Sequence, residues 1–189
     1  SPGVDQTEPG HVERAGQQGR GHVADQRNLA GVGHPGELDA AGGIGIPGGE
    51  IEARGGSQPA IFPLDLEKAE DKDFAALAQA IKLQLGRLDG ILHNAALLFT
   101  LTPLELQTMG QWQSLLRVNL IAPFALTRAC LPLLKTSPDA SVIMTSETHG
   151  HAPAAYWGGF AVAKTGMEAL VRIAAQEWES LPNLRINTI

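Results

Sequence analysis

The chain has 189 residues, 43% of them hydrophobic, and a formal net charge of −6. A chain of this length and composition can bury one ordinary core, so we expect a single folded domain. The acidic balance argues against nucleic acid as a partner, because there is no excess of Lys and Arg to neutralise phosphates.

The cysteine count and the apolar stretches indicate the cellular compartment and whether the chain contacts a membrane. Cys130 is the only cysteine, which excludes an internal disulfide. Its apolar helical surroundings favour a buried structural thiol over a reactive one. The longest apolar stretch, residues 120–134, is interrupted by Thr127 and Arg128 and is too short to cross a bilayer. No signal peptide is recognised at the start. These features predict a cytoplasmic protein that does not contact a membrane.

Glycine content divides the chain into two segments. Residues 1–56 hold fifteen of the twenty-two glycines and contain no run typical of a buried strand or an amphipathic helix. We therefore expect residues 1–56 to be an aberrant segment without a native fold, and residues 57–189 to form the folded domain.

The predicted elements of residues 57–189 alternate between strands and helices. The apolar run 60–66 is interpreted as a strand, near a sheet edge because of Pro63. Asp71 is predicted to cap a helix that ends at Leu85, with Gly86 as its stop. There follow a strand over 88–93, a helix over 110–135, a strand over 141–145, a helix over 158–179 and a strand over 184–189. The last helix is expected to bury Val162, Leu170, Ile173 and Trp178. This alternation predicts an α/β fold with a doubly wound parallel sheet.

Four short motifs follow one another along this domain. They are Leu-Asp-Gly-Ile-Leu-His-Asn-Ala-Ala over 88–96, Arg-Val-Asn-Leu over 117–120, Ser-Val-Ile-Met-Thr-Ser over 141–146 and Phe-Ala-Val-Ala-Lys over 160–164. Their order and spacing resemble the short-chain dehydrogenase/reductase family, whose landmarks are an Asn-Asn-Ala-Gly turn, a buried Asn, a serine strand and Tyr-x-x-x-Lys. The resemblance covers about residues 58–189. It implies a Rossmann-like sheet, NAD or NADP as cofactor, and a small alcohol or carbonyl substrate.

The resemblance implies cofactor contacts in the first half of this domain. Asp65 and Leu66 match the position whose neighbourhood contacts adenine, with a plain strand-end acid as an equal alternative. Asn94, with Ala95 and Ala96 after it, matches the turn that adjoins the cofactor ribose. A strand-end turn that needs an Asx side chain is compatible with this role.

Two further positions match catalytic residues of the family. Lys164 matches the lysine that binds the nicotinamide ribose hydroxyls and lowers the pKa of the catalytic phenol; a solvated helix lysine is the alternative. Asn119 matches the Asn that bulges a helix and holds a water of the proton relay. A polar Asn inside an apolar helix is costly unless it is hydrogen-bonded, so a specific role is expected on physical grounds as well.

The tyrosine and serine positions of the family pattern hold other residues. Phe160 stands at the tyrosine position, and Glu147, thirteen residues earlier, stands at the serine position. A phenyl ring has no proton to give, and an ionised glutamate would repel a developing oxyanion. Glu147 could instead donate as a neutral acid if burial raised its pKa, or it could pair with Lys164.

Other side chains offer alternatives. Ser146 and Thr148, on either side of Glu147, could supply a hydroxyl, although each points differently from Glu147. Tyr156, His149 and His151 are alternative proton donors. Tyr156 is predicted to precede the last long helix, and the two histidines are interpreted as exposed loop residues. No cluster of His, Cys and carboxylate residues has the spacing of metal ligands.

The phosphate-binding part of the family pattern has no good match. The sequence Thr-Gly-x-x-x-Gly-x-Gly would fall near residues 15–21, where the glycines lie one position off and no apolar strand precedes them. The first β-α-β unit is therefore expected to be absent or disordered, and a shifted reading frame over residues 1 to about 50 is one hypothesis for it. The chain stops at Ile189, so a truncated C-terminal end is also expected.

Three functions remain open from the sequence. The first is an NAD(P)-dependent oxidoreductase that retains Lys164 and Asn119. The second is a non-catalytic relative that binds a partner or nucleotide, and the third is a frame-shifted product without activity. The two long helices match those that build a dimer interface in the family, so a homo-oligomer is expected.

Overall fold

The computed structural model describes residues 61–189, and the predictions made for residues 1–56 lie outside the described residues. Three parallel strands, β1 (Gly90–His93), β2 (Ala140–Met144) and β3 (Leu184–Thr188), form one sheet in the order β1-β2-β3. Parallel neighbours need crossover connections, and helices provide them here. The predicted α/β fold with a parallel sheet is confirmed.

The helical elements run in chain order as follows: α1 (Asp71–Leu85), a 3₁₀ turn (Leu104–Leu106), α2 (Met109–Leu116), a π-helical turn (Arg117–Ile121), α3 (Ala122–Thr136), α4 (Thr148–His151) and α5 (Gly158–Glu177). Their buried side chains form one core with the sheet. In the centre of that core, Val142 and Met144 of β2 lie against Cys130 and Leu134 of α3, and all four are fully buried. Burial of Cys130 confirms the structural thiol and raises its pKa to about 11.

Helix α1 has the predicted length, but its N-terminal cap differs from the prediction. Glu70 is the N-cap residue, and its backbone N–H donates to the carboxylate of Asp73 at 2.8 Å. Asp71 lies one position inside the helix, where its carboxylate forms an ion pair with Arg128 at 2.7 Å. The helix stops at Gly86 as predicted, because this residue has a φ of 75°, which glycine adopts without strain.

The predicted strand over 60–66 is wrong for the part that the structure describes. Residues 61–65 have no ladder pairing, and a turn begins at Leu66. Pro63 has no N–H to contribute to a ladder, and none of β1, β2 and β3 pairs with this segment. Its apolar side chains still face the core: Leu66 is buried, and Phe62 and Leu64 pack against the core cluster. Within residues 61–189 this segment is thus buried without a strand partner.

The longest helical run, Met109–Thr136, joins α2 and α3 through the π-helical turn. At the end of that turn the N–H of Ala122 donates to the carbonyl of Arg117, five residues back. This is a local bulge in the α-helix, as the family resemblance implied. By length and composition alone the run could cross a membrane. In this fold it is a core helix, because one side of it is buried against the sheet and α1.

Two residues of α5 that were expected to be buried are exposed. Val162 is 49% exposed and Ile173 is 54% exposed, while Leu170 and Trp178 are half-buried. The inner face of the helix consists mainly of small or flexible side chains at helical spacing: Phe160, Ala163, Lys164, Met167, Val171 and Ala174. Small residues let the helix lie close to the sheet, and the large aliphatic residues are left on the outer face.

Candidate functional site

The candidate site lies at the carboxyl ends of the parallel strands. Asn94 follows β1, and Thr145 follows β2, so the two residues meet at one edge of the sheet. The hydroxyl of Thr145 donates to the Asn94 side-chain oxygen at 3.1 Å. From α5 above this edge, Lys164 Nζ donates to the backbone carbonyl of Thr145 at 2.7 Å. Asn94 and Lys164 are therefore joined through a single residue.

Lys164 is a buried ammonium group. Its residue is 4% exposed, which makes the solvated helix lysine a wrong alternative. Desolvation lowers the pKa of Lys164, and the charge of Glu147 partly opposes this effect. An ammonium carries three donor hydrogens, and the carbonyl of Thr145 is its hydrogen-bond acceptor among residues 61–189. The arrangement leaves donor capacity for an oxygen-rich ligand at the sheet edge.

Asn119 sits in the π-helical turn and is 1% exposed. Its side-chain oxygen accepts from the N–H of Leu97 at 2.9 Å, and its Nδ2 donates to the carbonyls of Leu97 at 2.8 Å and Leu115 at 2.9 Å. The expectation that a buried helical Asn must be hydrogen-bonded is confirmed. Because Leu97 comes three residues after Asn94, these bonds fix the loop at the same edge of the sheet. The role of Asn119 in holding a relay water stays a prediction.

Phe160 occupies the start of α5, one turn before Lys164. Its ring is buried, with the centroid 5.8 Å from that of Trp157 and 5.6 Å from Lys164 Nζ. The cation lies within the range of a cation–π contact. The ring thus fills the place of the family's tyrosine in packing, and it carries no hydroxyl.

Glu147 forms a carboxylate–histidine pair with His149. One carboxylate oxygen accepts from the backbone N–H of His149 at 2.8 Å and contacts its ring Nδ1 at 2.7 Å. Burial alone would raise the pKa of Glu147, but the bonds and charge of His149 hold that pKa below its ordinary value. The hypothesis of a neutral glutamic acid is therefore wrong. The hypothesis of an ion pair with Lys164 is also wrong, since that ammonium bonds to the carbonyl of Thr145 instead.

The two histidines after β2 have different surroundings. His149 lies in the short helix α4, and its ring stacks on Trp157 with 3.8 Å between centroids and 15° between planes. The ring is 23% exposed, so the interpretation as an exposed loop residue is wrong for His149. His151 is exposed and contacts Glu168 at 3.4 Å. Tyr156 precedes α5, as predicted, and is 57% exposed.

The predicted adenine-side residues lie on the other side of β1. Leu66 and Ala95 line one small cavity together with His93 and residues of α3. Asp65 begins the turn before them, where its carboxylate accepts from the Glu67 N–H at 3.0 Å and pairs with Lys68 at 3.2 Å. Burial would raise the pKa of Asp65, but these partners lower it. Ala96 is half-buried on the loop beyond Ala95.

His93, which sequence reasoning treated only as a neighbour of Asn94, is a buried polar group of this region. It is 5% exposed, and its Nε2 lies 2.8 Å from the hydroxyl of Thr127 on α3. Desolvation lowers the pKa of His93 to about 4, so the ring is neutral near pH 7. The sequence feature that could have identified this group is a histidine at the end of an apolar strand, where the family usually has Asn.

A second missed group is Glu168 on α5. It accepts a short hydrogen bond from the hydroxyl of Ser146, and this bond, with the nearby His151 and Arg172, keeps its pKa below the ordinary value. The sequence offered Ser146 as an alternative source of the missing hydroxyl, and the structure directs this hydroxyl to Glu168. Residues 61–189 contain no group of three or more His, Cys, Asp or Glu side chains that could hold a metal ion.

A parallel sheet flanked by helices, with polar groups gathered at the carboxyl ends of its strands, defines a Rossmann-like α/β protein. A family model described as "Enoyl-(Acyl carrier protein) reductase" matches residues 49–189. The chain belongs to the short-chain dehydrogenase/reductase family.

Individual relatives agree with this assignment. "Uncharacterized oxidoreductase YciK" of Escherichia coli (strain K12) is 39% identical over 139 residues, which are 74% of this chain and 54% of that protein. A short chain dehydrogenase structure from Pseudomonas syringae has a TM-score of 0.73 at 40% identity, covering 75% of this chain and 58% of that one. A structure from Escherichia coli CFT073, complexed with NADPH, has a TM-score of 0.71 at 38% identity, covering 75% and 58%. The chain thus spans little more than half the length of these relatives.

Proposed function

We propose that this chain binds a nicotinamide dinucleotide and acts as an NAD(P)-dependent oxidoreductase on a small alcohol or carbonyl compound. The observation that carries the proposal is the environment of Lys164. This ammonium is 4% exposed and has one carbonyl acceptor within residues 61–189. It projects to the carboxyl edge of a parallel sheet, where this class of fold binds dinucleotides. Relatives complexed with NADPH and with NADP support the same class of cofactor.

Each predicted residue has a specific task in this proposal. Lys164 donates to the ribose hydroxyls on the nicotinamide side. Asn94, Ala95 and Ala96 offer the loop against which the ribose lies, and Asp65 with Leu66 borders the adenine side. Asn119 keeps the loop in place through Leu97. The bound dinucleotide supplies or accepts the hydride; the chain supplies position, charge and exclusion of water.

A second candidate function is a dinucleotide-binding protein without turnover. The observation that favours it is Phe160, because a buried phenyl ring at the tyrosine position cannot protonate an alkoxide. Glu147 adds to the case, since its ionised carboxylate stands where the family has a hydroxyl. A positioned acid contributes typically about 10²–10⁴-fold to such a reaction, so its loss without replacement would leave binding intact and turnover low.

A binding titration of the full chain with NADH and NADPH tests the proposal. We expect saturable binding that Lys164→Met abolishes and Lys135→Met leaves unchanged, because Lys135 is an exposed lysine on α3. The preferred nucleotide identifies the cofactor. Absence of binding by the wild-type chain contradicts the proposal and favours the product without activity. Carbonyl reduction that appears only in the double variant Phe160→Tyr with Glu147→Ser supports the second candidate.

We also propose a homo-oligomer in the cytoplasm. Exposed aliphatic and aromatic side chains on the outer faces of the two long helices support an oligomer: Ile121, Phe124, Val162 and Ile173. A buried free thiol at Cys130 is compatible with a reducing compartment. Sedimentation as a monomer at micromolar concentration would contradict the homo-oligomer, and fractionation of the host cell tests the cytoplasmic location.

A further inference from the structure

The residues around the missing hydroxyl form a second, ordered constellation. Glu147 is the N-cap residue of α4, and its carboxylate receives both the backbone N–H and the ring Nδ1 of His149. The imidazole stacks on Trp157 at 3.8 Å, and Trp157 in turn contacts Phe160 at 5.8 Å between centroids. An imidazole is therefore connected through Trp157 to the ring that replaces the tyrosine, and its carboxylate partner occupies the serine position.

We propose that His149 delivers to the substrate oxygen the proton that Phe160 cannot supply, with Glu147 and Trp157 as positioning residues. The inference rests on the proposed oxidoreductase function and names the acid of that same site. It gives the glutamate at the serine position a role that a hydroxyl could not fulfil, because an ionised carboxylate orients and stabilises an imidazolium.

The hydrogen-bond pattern assigns the two ring nitrogens. An ionised carboxylate only accepts hydrogen bonds, so Nδ1 carries a proton that points to Glu147. Nε2 is then the nitrogen that carries or releases the transferable proton. Stacking on the indole at 15° between planes fixes the ring orientation. This is the arrangement of a general acid whose second nitrogen is held by a carboxylate.

The proposed step balances in the direction of carbonyl reduction. A hydride from the reduced nicotinamide dinucleotide forms the new C–H bond, and the π pair of the carbonyl moves to oxygen. That oxygen takes the proton from Nε2, so an O–H bond forms as the N–H bond breaks. The imidazole is left neutral, and its Nδ1–H still donates to the Glu147 carboxylate. Because the His149 ring is 23% exposed, solvent can return the proton.

Other charged groups near this pair lie on the elements that pack against α4. Lys164 on α5 is positive and acts on Glu147 through space. Glu168, also on α5, is bonded to Ser146 and His151 and has Arg172 one turn further along the helix. The direct hydrogen-bond partner of the His149 ring is Glu147, so removal of this carboxylate is the cleanest perturbation of the imidazole.

Tryptophan emission at pH 7 tests the geometry without any turnover. The His149 ring is stacked on Trp157 with 3.8 Å between centroids, so replacement of the imidazole should change the emission of that indole. His149→Gln should therefore change the emission, and His151→Gln, an exposed control on the same short helix, should leave it as in the wild type. Emission of His149→Gln equal to that of the wild type overturns the proposal.

The second measurement is reduction of 4-nitrobenzaldehyde by the full chain with NADPH, and with NADH in parallel. We expect His149→Gln to lose about 10²–10⁴-fold in kcat with unchanged affinity for the nucleotide, and His151→Gln to behave as the wild type. Adding Phe160→Tyr to His149→Gln should recover turnover, which a merely structural role of His149 would not allow.

The outcomes separate this inference from the proposed function. Full activity of His149→Gln, or an inactive wild-type chain that binds the nucleotide, overturns the role of His149 and leaves dinucleotide binding standing. A wild-type chain that binds neither nucleotide overturns the proposed function, and the role of His149 with it.

Discussion

The buried imidazole of His93 should make the stability of this fold depend on pH. Desolvation lowers the pKa of His93 from 6.5 to about 4 in the folded chain. Between these two values the unfolded chain binds a proton that the folded chain does not, so stability rises with pH through this window. The contribution is fully present above about pH 6.5 and decreases toward pH 4. This difference between the folded and unfolded pKa values of His93 corresponds to about 3 kcal/mol in the free energy of unfolding.

Urea unfolding at pH 7 and pH 4, for the wild type and for His93→Asn, measures this contribution. Asn keeps a polar partner for Thr127 but does not titrate, so the variant should lose about 3 kcal/mol less on acidification than the wild type. Lowered carboxylate pKa values, such as that of Glu147, also reduce stability in acid, but they do so in both proteins and cancel in the comparison. Equal losses in wild type and variant would refute the burial argument.

Three further outcomes are expected. Asn119→Ala should lower the free energy of unfolding by about 3 kcal/mol, because the backbone N–H and carbonyl of Leu97 lose their partners; urea titration measures it. Gly158→Ala should cost more than the penalty of about 1–2 kcal/mol expected from its φ of +34°, because the added Cβ would clash with the Gln107 side chain, which must move. Gly110→Ala should gain about 0.5–1 kcal/mol in an open helical position. A thiol reagent should leave folded Cys130 unmodified until urea exposes it, given its full burial.

Local patterns in the sequence predicted most helix and strand bounds to within a few residues. Helix α1 follows from the helical spacing of Phe74, Leu77, Ile81 and Leu85 and from Gly86 as the stop. Phe74 and Leu77 are buried and Ile81 is half-buried, but Leu85 is 62% exposed. The run 61–66 has the same apolar character as a strand, yet a strand is defined by its pairing partner. The apolar composition of a segment predicts that it is buried, as Leu66 is, but it does not predict whether another strand pairs with it.

The site was predictable where a single residue carries the signal. Asn119 is costly in an apolar helix, and the structure compensates it with bonds to Leu97 and Leu115. Lys164 was found by its motif, and its burial follows from the small residues on the inner face of α5. The pair of Glu147 and His149 was not predicted, because it depends on a turn in the backbone. Glu147 is extended, with φ of −159° and ψ of 153°, and α4 begins at once after it.

The departures from the family pattern at Phe160 and Glu147 are linked by their contacts. Loss of the phenol alone would leave the packing of the site intact, because Phe160 keeps the ring against Trp157 and Lys164. The Glu147 side chain is 32% exposed, so its charge does not need a partner to be tolerated. Glu147 is nevertheless bonded twice to His149, and the histidine ring is stacked on Trp157, the residue that contacts Phe160. One oxygen of Glu147 thus holds both the backbone and the ring of His149, and this order is what a replaced acid requires, whereas random loss of function gives no reason for it.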